Sequence, residues 1–188
     1  MNSFHLDSRT GLPEALRLLL TAHPRESWQA DPSFNGLVRF WLERHMMFRQ
    51  IMAHMQAETR AFLDAERDAA RFAQGIARYG GMFVNQLHGH HQIEDQHYFP
   101  LLRTKDRRIE TGFDLLDADH HALDGLLNRF VEQANGAIQA ANGPDARSSA
   151  GALLAGLGDL ERMIGRHLED EEDLIVPIIL KHGADTLG

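Results

Sequence analysis

The sequence predicts an all-α protein, an up-down-up-down four-helix bundle preceded by a short N-terminal helical extension. Three observations carry this expectation. Apolar residues recur at steps of three and four along four long segments, no stretch alternates with the period of a strand, and turn-forming residues separate most of the segments. At 188 residues the chain fits one domain with an extension and can bury a real core.

The first stripe runs Val38, Trp41, His45, Phe48, Met52, Met55, Thr59, Phe62. The second runs Phe72, Ile76, Tyr79, Phe83, Leu87, His90, Glu94, and the third Phe113, Leu116, His120, Leu123, Leu127, Phe130. The fourth is Leu153, Leu157, Leu160, Ile164, His167, Glu171, Leu174. Residues 100–112 with their charge cluster read as one turn, and Asn142, Gly143 and Pro144 as a strong helix stop. The first turn, within 64–71, lacks Gly and Pro. Gly80 and Gly81 are a weak point at which the second helix could kink. Residues 1–33 form the extension, with one helix over 14–22 ending at His23 and Pro24; the bundle occupies 34–182 and a tail 183–188.

A net charge of −8 and the absence of any basic run argue against nucleic acid and anionic membranes as partners. No cysteine is present, which removes disulfides, iron–sulfur clusters and thiolate zinc sites. The N-terminus lacks a charged-then-apolar leader pattern, and the apolar run 174–180 is too short to span a bilayer. The expectation is a soluble, cytoplasmic protein of open oligomeric state.

Twelve histidines are the unusual feature. Each apolar stripe is interrupted by one, at His45, His90, His120 and His167. In an up-down-up-down bundle, residues equidistant from a turn lie at the same height. The midpoint of His45 and His90 falls between residues 67 and 68, that of His90 and His120 at Lys105, and that of His120 and His167 at Gly143 and Pro144. All three midpoints lie in expected turns, so one core layer collects the four imidazoles. The second and fourth helices add a carboxylate four residues on, at Glu94 and Glu171, which shares the histidine's face. Two unpaired carboxylates in an apolar core carry a large desolvation cost, and a pair of divalent cations compensates it. Imidazole and carboxylate without thiolate suit iron, manganese or zinc, and helix bundles host such dinuclear sites. His91 reads as a residue supporting the site or lying at the surface more than as an additional ligand, His121 as solvated and His54 as structural or exposed. His97, three residues past Glu94, is a minor candidate ligand.

The ordered set resembles the hemerythrin-like, or HHE cation-binding, domains over residues 34–180. It comprises His45; His90, His91 and Glu94 through Pro100; Asp119 and His120; and His167, Glu171 and Glu172 through Pro177. The resemblance implies a non-haem di-iron centre with a bridging oxo or hydroxo group, binding O2 or NO or sensing redox or iron state. In the third helix the oxygen-carrying hemerythrins have two histidines four apart, whereas here Asp124 follows His120, which leaves one iron to take water, Asp124 or another side chain. They also place an aspartate five residues after the fourth-helix histidine; here Glu171 stands at four and Glu172 at five. Two other functions compete: a di-iron oxidase or peroxidase enzyme, and a metal-free helical interaction module that docks a partner through Trp28. A binding protein is favoured over a dedicated enzyme.

Overall fold

The computed structural model describes residues 4–34 and 36–183; the expected tail lies outside them except for Gly183. No strand occurs among the described residues, and the all-α class is met. The extension contains a 3-10 turn at Glu14–Leu16, helix α1 (Leu18–Ala22) and a second 3-10 stretch, Arg25–Ala30. The single helix expected over 14–22 is therefore broken in two at Arg17. The long helices are α2 (Gly36–Leu63), α3 (Ala69–Ile93), α5 (Glu110–Ala140) and α6 (Ala146–His182), with the short α4 (Phe99–Leu102) between α3 and α5. Connections as short as those after α2 and α5 make successive helices antiparallel neighbours.

The chain divides into two compact units that cut across the helices. One comprises Met47–Gly89 and Leu123–Ile164. Its core holds Phe48, Phe72, Phe83 and Phe130, with Phe83 meeting Phe48 and Phe130 edge to face at 6.1 and 6.2 Å between centroids. Gly80 and Gly81, the weak point of the second helix, both lie inside α3, which continues through them. A Cβ on Gly80 would come to 3.3 Å from the Phe130 ring, so the glycine serves close packing.

The turn after α2 closes without glycine. Glu66 N–H donates to the Ala61 carbonyl at 2.8 Å and Ala65 N–H to that of Phe62 at 3.1 Å, the paired bonds of a Schellman motif. Ala65 occupies the left-handed position with φ of 60°. A Cβ there is strained, so Ala65→Gly is expected to stabilise the fold by roughly 0.5–1 kcal/mol in urea unfolding. An unchanged or lower midpoint would mean that the glycine's extra backbone entropy cancels the relief.

The other unit comprises Met1–Met46, His90–Ala122 and Gly165–Gly188. Leu12, Leu16, Leu19 and Trp28 of the extension join its core with Trp41, Phe99, Phe113, Leu116 and Ile178. Full burial of each large apolar side chain contributes roughly 1.5–3 kcal/mol. Trp28 is 4% exposed and its indole N–H donates to the His23 carbonyl at 2.8 Å. It fills the core and is not presented to a partner.

Two prolines behave differently from a simple helix end. Pro177 lies inside α6, which continues to His182. Pro100 lacks an N–H and crowds the preceding turn. The backbone just before it, Glu94–Tyr98, widens into a π turn in which Phe99 N–H donates to the Glu94 carbonyl five residues back. The wider turn shifts the face by one residue. Tyr98, not His97, packs toward Trp41, with ring centroids 4.8 Å apart, and His97 is exposed.

Candidate metal centre

All side chains of the site lie within the second unit described above. α2 supplies His45, α3 supplies His90 and His91, and the first residue of the π turn is Glu94. α5 supplies His120, and α6 supplies His167, Glu171 and Glu172. All eight are buried. Their donor atoms fall into two sets, His45, His90, Glu94 and Glu171 in one and His91, His120 and His167 in the other. Within each set the donor atoms lie within 4.8 Å of one another.

The two glutamates tie the sets together. Glu94 places Oε1 3.0 Å from His90 Nε2 and Oε2 3.7 Å from His120 Nε2. Glu171 places Oε1 3.5 Å from His45 Nε2 and Oε2 3.5 Å from His167 Nε2. Each carboxylate thus offers one oxygen to each set. His45 Nε2 and His90 Nε2 face each other at 3.1 Å, and the His91 and His120 rings stack at 4.0 Å.

The sequence favoured a supporting or surface place for His91 over that of a ligand. It is 5% exposed and belongs to the three-histidine set. Adjacent helical residues point about 100° apart, and in a bundle that angle separates two neighbouring helices. His90 therefore meets His45 of α2 while His91 meets His120 of α5. The doubled histidine was the available signal. Asp124 and His97 are exposed and belong to neither set. Glu172 is buried but turned away from the donor centre, toward the outer nitrogen of His45.

Outer nitrogens of three of the imidazoles are held by carboxylates. His45 Nδ1 bonds Glu172 at 2.9 Å, His120 Nδ1 bonds Asp95 at 2.8 Å, and His167 Nδ1 bonds Asp119 at 3.3 Å. The Trp41 indole N–H donates to Glu171. Anchoring Nδ1–H fixes the tautomer in which Nε2 carries a lone pair and no proton.

The inner atoms are left over. Nε2 of His91, His120 and His167, both oxygens of Glu94 and Oε2 of Glu171 are buried without a hydrogen-bond partner. Buried polar atoms are almost always satisfied, and six orphans converging on one place demand an explanation. A divalent metal ion would supply it, because nitrogen and carboxylate donors with fixed outer partners are what such ions require. The residues present fit the group.

Electrostatics agree. Burial lowers the His90 pKa to about 3 against the opposing charge of Glu171, and His45, His167 and His120 add to the lowering. Burial and the same crowding hold His91 well below its ordinary value, and burial lowers His167 against its bond to Asp119. Burial and the adjacent Glu171 push Glu94 well above the carboxylate range. Burial would raise Glu171 too, but His45, His90 and His167 outweigh it and hold it well below that range. His45 is raised, since Glu171 and Glu172 overcome its burial.

The family model of the hemerythrin HHE cation binding domain matches residues 36–179. The chain belongs to that family. Its matched span covers every donor of both sets, and the buried histidine and glutamate cluster of this hemerythrin-like domain accords with metal binding. No curated protein and no solved structure matches the chain at a significant level. No helix among the described residues is long and apolar enough to cross a membrane.

Beside the centre of this hemerythrin-like domain lies a cavity of about 50 Å³, lined by Leu37, Phe40, Trp41, His90, Ile93 and Tyr98 among others. His90 and Glu94 form part of its wall.

Proposed function

We propose that the protein binds two iron ions and uses them to bind or sense O2 or NO, or to report redox or iron state. His45, His90, Glu94 and Glu171 would hold one ion and His91, His120 and His167 the other, with both glutamates shared. The observation that carries the reading is the convergence of six buried, unpartnered Nε2 and carboxylate oxygen atoms from α3 with its π turn, α5 and α6, beside His45 of α2. Bound iron supplies redox change and a coordination position for a small ligand. The protein's own part is to fix the imidazoles through Glu172, Asp95 and Asp119, and to keep water out with Trp41 and Phe99.

Ligand size separates this reading from an oxidase acting on a metabolite. Sites for such substrates measure about 300–1,000 Å³. The cavity touching His90 and Glu94 is about 50 Å³, room for a diatomic molecule or azide.

Titration with Fe(II) under anaerobic conditions tests the proposal. Wild type is expected to take up two equivalents, and the His90→Ala, His167→Ala double variant to lose tight uptake of both. Equal uptake by the two proteins would remove the site. Addition of O2, NO or azide to the loaded protein is expected to change its charge-transfer absorption, and a spectrum indifferent to all three would remove the gas-binding part.

A further inference from the structure

The extension sends two arginines into the site's outer shell. Arg9 is 6% exposed although it lies in the extension, far from the helices in sequence. Its guanidinium grips both oxygens of Asp119 through Nη1 and Nη2 and donates from Nε to Asp170 at 2.7 Å. Nη1 also reaches the Phe4 carbonyl at 2.8 Å. Asp119 is the carboxylate that holds His167 Nδ1. Arg25, half-exposed, donates from Nη1 to Glu172 Oε2 at 2.9 Å and from Nε to Asp173 at 2.6 Å. The other oxygen of Glu172 holds His45 Nδ1.

His167 belongs to one donor set and His45 to the other. Each set therefore has its own chain of arginine, carboxylate and imidazole, and both arginines come from the extension. The placement is anchored: Leu12, Leu16, Leu19 and Trp28 are buried beneath the same segment, Arg166 donates to the Thr10 carbonyl at 3.0 Å, and Arg25 to that of Glu169 at 3.0 Å.

We propose that residues 4–30 complete the metal centre, with Arg9 and Arg25 as positioning residues that each lock one donor set through its carboxylate. This rests on the reading of His45 and His167 as ligands. A buried carboxylate gripped by a planar fork keeps one orientation, and the imidazole bonded to it keeps one ring angle and one tautomer. Without the arginine, Asp119 or Glu172 turns to find another donor, and the histidine follows it. Loss of such outer-shell partners typically weakens metal binding by about 10–100-fold.

The two chains are separate, so their effects are expected to be separable. The full-length protein is loaded with Co(II), and release of each ion to excess chelator is followed through the d–d absorption. His90→Ala, which removes a donor from one set only, identifies the release phase of that set. Arg25→Gln is expected to speed release from the His45 set by about tenfold or more and leave the other phase within about twofold. Arg9→Gln is expected to do the reverse, and Arg9→Lys and Arg25→Lys to recover only part of the loss. Should Arg9→Gln fail to fold, Arg25→Gln decides, because Arg25 is 42% exposed and removable without opening the core. Unchanged release in Arg25→Gln, or equal acceleration of both phases with a lower melting temperature, overturns the proposal and leaves the extension a mere structural prop. A wild type that takes up no Co(II) refutes the metal reading itself, a result distinguishable from the others.

Discussion

Replacing Glu94 by glutamine is expected to make the metal-free protein more stable while destroying its tight hold on metal. Glu94 is fully buried, neither of its oxygens has a hydrogen-bond partner, and Glu171 stands beside it. Burial and that neighbouring charge raise its pKa well above the carboxylate range. In the absence of metal at pH 8, the folded state must therefore either keep a proton on Glu94 or hold a poorly compensated anion, whereas the unfolded chain ionises freely. Glutamine keeps the shape and removes the charge. The gain is expected to be about 1–3 kcal/mol, a rise of roughly 2–10 °C in melting temperature for a chain of this size.

Metal affinity moves the opposite way. An amide retains one weak oxygen donor where the carboxylate faces both donor sets. Outer-shell losses alone cost about 10–100-fold, so losing this inner donor is expected to cost roughly a hundredfold or more. Melting curves with and without chelator read both signs in one experiment. A Glu94→Gln protein that melts below wild type in chelator would show that Glu94 supports the fold through bonds of its own, contrary to its orphaned oxygens.

That opposition explains which parts of the site were legible in the sequence. A residue that harms the bare fold and yet sits on an apolar stripe stands out against its neighbours, and so His45, His90, Glu94, His120, His167 and Glu171 could be picked out by spacing alone. The height rule worked because the connections are short, and it brought four histidines from four helices into one layer. His91 was harder to place because it lies a third of a turn from the stripe, a position that is core-facing only when the next helix is considered. His97 lost its place to the π turn that precedes Pro100, a change of register no periodic count anticipates. Arg9 and Arg25 gave no signal at all. Their partners are more than a hundred residues away, and an arginine in an irregular segment has no periodicity to read.

The metal-free protein is expected to lose stability steeply as the pH falls from about 6.5 toward 4.5, the range over which an ordinary histidine gains its proton. His90, His91, His167 and His182 have pKa values depressed by burial, so below 6.5 the unfolded chain takes up protons that these imidazoles resist in the folded chain. Glu94 works against them, since its raised pKa lets the folded state hold a proton that the unfolded carboxylate releases above about 4.5. The histidines outnumber it, so unfolding takes up protons on balance, and each whole proton is worth about 1.4 kcal/mol per pH unit. His45 has a raised pKa, and the stability it contributes is complete below 6.5 and fades only as the pH climbs through its folded value. It cannot rescue the acid side. Below about 4.5 the depressed pKa of Glu171 adds a further proton to the unfolded state. Against an ordinary stability of about 5–15 kcal/mol, even one such proton is a large term over two pH units. Circular dichroism of chelator-treated protein, with urea midpoints taken at half-unit steps, measures the slope directly. A flat profile between pH 6.5 and 4.5 would mean that water reaches the imidazoles and the layer is not dry. The loaded protein is expected to hold its stability further into acid, because each ligand must then surrender metal before it can accept a proton.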